Sequence, residues 1–115
     1  MIYLIRDEKS VIISAKTVIA QSFSERAFGL IIRRFNDKLD AMVFEKCNLI
    51  HSFFMSYTFD LIFINTAGKV VKLYNNAGKN KIFCGGKERN LVAVELPTET
   101  IKKFDIKLDD FLKIE

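Results

Sequence analysis

Histidine and cysteine are scarce in this chain, and their scarcity removes several function classes at once. There is one histidine, His51, and there are two cysteines, Cys47 and Cys84, in 115 residues. A lone imidazole leaves no recognisable metal-ligand spacing, and Cys47, His51 and Cys84 together lack a fourth ligand. Two cysteines make no disulfide framework, so both are expected to be reduced and structural. No cofactor is expected. Long apolar runs are missing too. The opening run, residues 2–5, is closed by Arg6 and is far too short for a signal peptide or a membrane span, so the chain reads as cytoplasmic, with no membrane insertion. There is no phosphate loop, no paired-glycine dinucleotide motif, no Ser-His-Asp spacing, no internal repeat and no linker. Charge of one sign is modest. Eighteen Lys and Arg against 14 Asp and Glu give a net +4, which permits weak attraction to nucleic acid but does not argue for it.

What is present describes a folded domain. Half the residues are hydrophobic and 28% are charged, as in a globular chain able to bury its own core, and one domain over residues 1–115 is expected. The aromatic content is mostly 11 Phe, which with Val and Ile favours strands. Strands are predicted over residues 2–5, 11–20, 42–44, 50–55, 59–65, 70–74, 91–96 and 111–114. Residues 59–65 are almost wholly apolar and predict a central strand covered on both faces. Asn65, Thr66, Ala67, Gly68 and Lys69 then form its turn, with Gly68 available for positive φ. Ser22 and Glu25 have capping-box spacing, and Phe23, Ala27, Leu30 and Ile31 follow at helical spacing, so the principal helix is placed at about 23–32. Thr98, after the strand-ending Pro97, is placed as the cap of a short second helix over about 98–104. Residues 75–90 read as a long irregular loop. Strands outnumber helices and do not alternate with them. The expected class is α+β, mainly β: a curled antiparallel sheet or partial barrel.

Several segments resemble a known family. Arg26-Ala27-Phe28-Gly29-Leu30 is similar to an R-x-x-G-L helix motif. Ala41-Met42-Val43-Phe44 is similar to a G-M-[LV]-F strand, with alanine in place of glycine. Ile50-His51-Ser52-Phe53-Phe54-Met55 followed by Asp60-Leu61-Ile62-Phe63 resembles the family's central block, and Gly68-Lys69-Val70-Val71 continues it. Val94-Glu95-Leu96-Pro97 matches its [VL]-E-L-[PA] strand end, and Asp109-Asp110 sits at its terminal G-D, with Asp109 where glycine is usual. The family is the one known as domain of unknown function 192, and the likeness covers roughly residues 14–114. It implies a compact, mainly β fold with a helix in the N-terminal third, and no established activity or cofactor. Many members carry an export leader, and none is expected in this chain. The segment from Asn75 to Asn80 also lacks the proline and arginine common there in the family.

The chemistry-bearing residues fall into two groups. Arg26, His51, Asp60 and Glu95 are candidates for a polar cleft, since a buried carboxyl must be paired or protonated and Arg26 is a natural partner. Their structural alternative is an arginine bridging helix to sheet and acids that hold loop amides. Lys81, Cys84, Lys87 and Arg89 are candidate loop contacts, with Cys84 next to a glycine pair that lets a ligand approach the backbone. Cys47 and His51 are four residues apart on one strand, roughly 13 Å, too far for proton transfer at ~3 Å. The leading expectation is a small non-catalytic binding or accessory module for a protein partner or small ligand. The alternatives are a hydrolase or thiol enzyme using Cys84 or His51, and a weak nucleic-acid contact through the basic loop 79–89.

Overall fold

A strand that is apolar on both faces must be covered twice, and the computed structural model shows how. It describes residues 1–20, 35–36, 38–53 and 57–115. The strands are β1 (Ile2–Arg6), β2 (Lys9–Ser14), β3 (Thr17–Ile19), β4 (Ala41–Phe44), β5 (Leu49–His51), β6 (Phe59–Ile64), β7 (Val70–Ala77), β8 (Ile82–Cys84), β9 (Val92–Pro97) and β10 (Phe111–Ile114). One short helix, α1 (Thr100–Phe104), lies between β9 and β10. The central sheet has the order β3-β4-β9-β6-β7; β10-β1-β2 form a second sheet, and β5-β8 form a two-stranded ribbon.

The period-2 alternation of a strand sends successive side chains to opposite faces. Phe59, Leu61 and Phe63 of β6 therefore share one face with Met42, Phe44 and Ala93, and this face is covered by Ile50 and Phe83 of the ribbon. Ile62 and Ile64 share the other face with Val43, Val94 and Leu96, which is covered by Ile2, Leu4 and Leu112 of the three-stranded sheet and by Ile101 of α1. Phe59, Leu61, Ile62 and Phe63 are all at 0% exposure, so each contributes roughly 1.5–3 kcal/mol of burial. The mainly β class and the doubly covered central strand thus agree with expectation. The sheets of the described residues do not close into a barrel, and β3 pairs with β4 in parallel rather than antiparallel.

Local chemistry sets the remaining boundaries. The expected 11–20 strand is broken in two because the Ala15 and Lys16 amides and the Ser14 hydroxyl all donate to the Asp40 carboxylate. That cluster passes the chain from one sheet to the other. The β6–β7 turn is held by Asn65 Oδ1, which accepts from the Ala67 and Lys69 amides. Gly68 has φ 87°, and a Cβ there would lie 2.4 Å from the Leu112 carbonyl oxygen, so both conformation and space demand glycine. Asp109, where the family resemblance expects glycine, adopts φ 72°, a left-handed conformation that aspartate tolerates better than most residues.

Three expectations need correction or fall elsewhere. Residues 75–90 are not one irregular loop: β7 runs on to Ala77, and β8 forms by pairing with β5, a non-local partner that local sequence does not reveal. The short helix begins at Thr100, not Thr98, because the Thr98 hydroxyl turns to Asn76 Oδ1 instead of capping; Glu99 occupies the N-cap without a side-chain cap bond. The principal helix placed at about 23–32 lies outside the described residues.

Candidate functional site

Among the described residues, Asp60, Glu95 and His51 of the expected polar cleft do not come together. Residues 60 and 95 differ by one step of strand register: Leu61 faces Glu95, and Asp60 faces Leu96. A one-residue offset puts their side chains on opposite faces of the central sheet. Glu95 points into the Phe59–Phe83 side, flanked by Met42 and Leu61, and Asp60 into the side that holds Ile101. His51 lies on the ribbon, exposed, and Arg26 lies outside the described residues.

Each buried acid satisfies its electrostatics differently. Register between β6 and β7 slips at Asp60, where Phe59 pairs with Ala77 and Leu61 with Tyr74, leaving an extra residue on β7. The Asp60 carboxyl fills that bulge. Its Oδ1 accepts from the Asn76 amide at 2.9 Å, and its Oδ2 accepts from the Ile101 amide at 2.8 Å, in the first turn of α1. Asp60 is therefore the long-range cap that Thr98 was expected to supply. Glu95, 4% exposed, has no hydrogen bond from any described residue, and burial pushes its pKa from 4.5 up to about 8. It is predominantly protonated at neutral pH.

The outward face of the ribbon gathers the other candidates. Leu49 is paired with Cys84 and His51 with Ile82 on this face, while the Ile50–Phe83 pair points to the core. His51 and Cys84 are thus diagonal neighbours, about 7–8 Å apart in such a ladder. No hydrogen bond joins them. His51 stacks on Phe53, centroids 5.2 Å apart, and Cys84 Sγ accepts a bond from the Gly86 amide. Cys84 is exposed, not a buried structural thiol, and Phe53 is exposed rather than core. The ribbon end is fixed by buried Ser52, whose hydroxyl donates to the Gly78 carbonyl and accepts from the Lys81 amide. Only one of the two glycines is closely packed: a Cβ on Gly85 would lie 2.5 Å from Phe63, so packing selects that glycine, whereas a Cβ on Gly86 would meet nothing within 4 Å and its φ of 119° is what favours glycine there.

The largest concave surface among the described residues lies elsewhere. A cleft of about 720 Å³ opens at the Ile64 end of the central sheet, floored by Val43, Ile64, Val92 and Leu112 and rimmed by Lys46, Asn65 and Asn90. Beside it lies a smaller pocket of about 290 Å³ lined by Lys46, Asn48, Lys87, Arg89 and Asn90. The candidate loop contacts therefore divide. Lys81 and Cys84 stay with the ribbon, and Lys87 and Arg89 belong to this pocket. Lys46, Asn65 and Asn90 had no signal in the sequence, since β4, β6, β9 and β10 must assemble before they share a rim. Among the described residues no cluster of three or more His, Cys, Asp or Glu could hold a metal, and no helix is long and apolar enough to cross a membrane.

Comparisons with known proteins fit this fold. The family model described as DUF192, Uncharacterized ACR, matches residues 4–114. A crystal structure of a protein of unknown function from Novosphingobium aromaticivorans DSM 12444 has a TM-score of 0.79 at 17% identity, covering 98% of this chain and 83% of that one. A protein from Sinorhizobium meliloti 1021, designated a "putative transcription regulator", also has a TM-score of 0.79, at 21% identity, covering 97% of this chain and 90% of that one. No curated protein sequence matches the chain.

Proposed function

We infer function from one premise: this chain belongs to the DUF192 family of uncharacterised proteins, a membership that assigns it no activity. On that premise we propose a small non-catalytic binding module whose ligand seats in the cleft at the Ile64 end of the central sheet. One observation carries the proposal. The largest concave surface among those described has an apolar floor and a polar rim, of a size that suits a small ligand, and neither histidine nor cysteine lines it. The groups able to do acid–base or thiol chemistry are scattered: Asp60 is committed to two amides, and His51 and Cys84 lie on the ribbon without a bond between them.

Titration with 1-naphthol, a neutral aromatic probe, is expected to shift the amide resonances of Ile64, Val92 and Ile114, and Ile114→Lys is expected to abolish those shifts. Shifts confined to other surfaces would remove the cleft from consideration. The thiol-enzyme alternative has its own check. His51→Ala is expected to change the alkylation rate of Cys84 by less than about twofold. A fall of about tenfold or more would establish a working thiol–imidazole pair and overturn the non-catalytic assignment.

A second reading rests on the ribbon. His51 stacked on exposed Phe53 offers an aromatic platform, and Lys81, whose backbone bonds to the intervening Ser52, adds a cation at the same end of the ribbon, the two kinds of group that bind single-stranded nucleic acid. Under this reading a fluorescent single-stranded oligonucleotide binds at low salt and binds less after Lys81→Ala. Absence of any binding at low salt removes it.

A further inference from the structure

The cleft and the smaller pocket beside it share two wall residues, Lys46 and Asn90, so they form one continuous feature with two chemically different halves. The cleft half is floored by Val43, Ile64, Val92 and Leu112. The pocket half gathers three cations, Lys46, Lys87 and Arg89. None of the three is in an ion pair, although Glu88 also lines the pocket. The surroundings hold them in place. Asn48 Nδ2 donates to the Gly86 carbonyl, the Gly85 amide donates to the Asn48 carbonyl, and the Cys47 amide donates to the Leu91 carbonyl, which clamps the two loops together. Lys46 itself sits at φ 49°, a left-handed conformation that a lysine adopts only against a steric penalty. Three like charges around a pocket of about 290 Å³ repel one another until an anion enters.

We propose that Lys46, Lys87 and Arg89 receive the anionic group of an amphiphilic ligand whose apolar body lies in the adjoining cleft. The ligand class is an organic phosphate or carboxylate with an aromatic or aliphatic body. This rests on the cleft being the binding site and adds the chemistry of what it binds. Arg89 supplies a planar fork for two oxygens of the anion, and the two lysines supply point charges.

A matched pair of probes separates the two claims. 1-Naphthyl phosphate is expected to bind about ten- to hundredfold tighter than 1-naphthol at low salt, and the advantage should shrink as ionic strength rises. Lys87→Ala plus Arg89→Ala should erase the advantage while leaving 1-naphthol affinity and the melting temperature unchanged. Lys46→Gly, which removes a charge and relieves the left-handed lysine, should weaken 1-naphthyl phosphate without lowering the melting temperature. Equal affinity for the two probes overturns the anion assignment and leaves the cleft standing. Loss of 1-naphthol binding at the cleft in the unaltered protein overturns the cleft itself, and the proposal with it. Sedimentation with phosphatidic acid vesicles, without binding of 1-naphthyl phosphate, overturns the proposal in favour of a membrane surface.

Discussion

Unfolding free energy is expected to fall as pH rises from about 4.5 to about 8, by as much as roughly 4–5 kcal/mol. The cause is Glu95. In the unfolded chain its carboxyl ionises near 4.5; in the folded chain burial between Met42 and Leu61 holds the proton until about 8. The folded state therefore binds more protons across that window, and each unit of pH costs about 1.4 kcal/mol. The stabilising contribution is complete below 4.5 and is lost as pH climbs through the folded value. Asp110 runs the other way. Its hydrogen bond from Arg6 lowers its pKa below 3.8, so its contribution is lost only in stronger acid, outside the Glu95 window. Glu95→Gln keeps the shape and removes the titration. Urea unfolding at several pH values should give a flat profile for the variant and a falling one for the unaltered chain. Parallel profiles would show that Glu95 is not the source.

Asp60→Asn is expected to cost roughly 3–5 kcal/mol, although it changes one atom type. An asparagine offers one acceptor oxygen where two amides need acceptors, and its NH₂ group would confront either the Asn76 or the Ile101 N–H. Asp60→Ala should cost a similar amount by orphaning both amides. The change should appear as a lower urea midpoint at an unchanged slope. Hydrogen exchange provides a local readout: the Asn76 and Ile101 amides should lose protection first. A cost below about 1 kcal/mol, with both amides still protected, would show that Asp60 is not the staple between the β7 bulge and α1.

The two acids show how far the linear sequence reaches. That a carboxyl inside an apolar strand must be paired or protonated follows from solvation alone, and both outcomes occur, one in each acid. Which acid takes which outcome depends on register. The bulge opposite Asp60 brings a spare amide to it, and the regular pairing around Glu95 sets it between Met42 and Leu61, with no hydrogen-bond donor among the described residues. No local pattern encodes a slip in a partner strand, so a joint cleft for the two acids looked reasonable on paper and was separated by the pleat. The ribbon is a similar case. Ile82, Phe83 and Cys84 form a strand only because Leu49, Ile50 and His51 meet them, and glycine at 85 marks contact with Phe63 rather than flexibility.

Elements whose physics is local can be read from the linear chain. These are the apolar run that had to become a doubly covered strand, the Asn65–Gly68 turn, the mainly β class and the family likeness that runs through them. The principal helix belongs to the same kind of inference but lies outside the described residues. Tertiary structure decided everything that depends on two distant segments meeting: the faces of Asp60 and Glu95, the His51–Cys84 diagonal, and the cleft whose cationic side is assembled from Lys46, Lys87 and Arg89. Alternation and turn chemistry act over a few residues. Strand register and the convergence of loops are fixed only when the whole core closes.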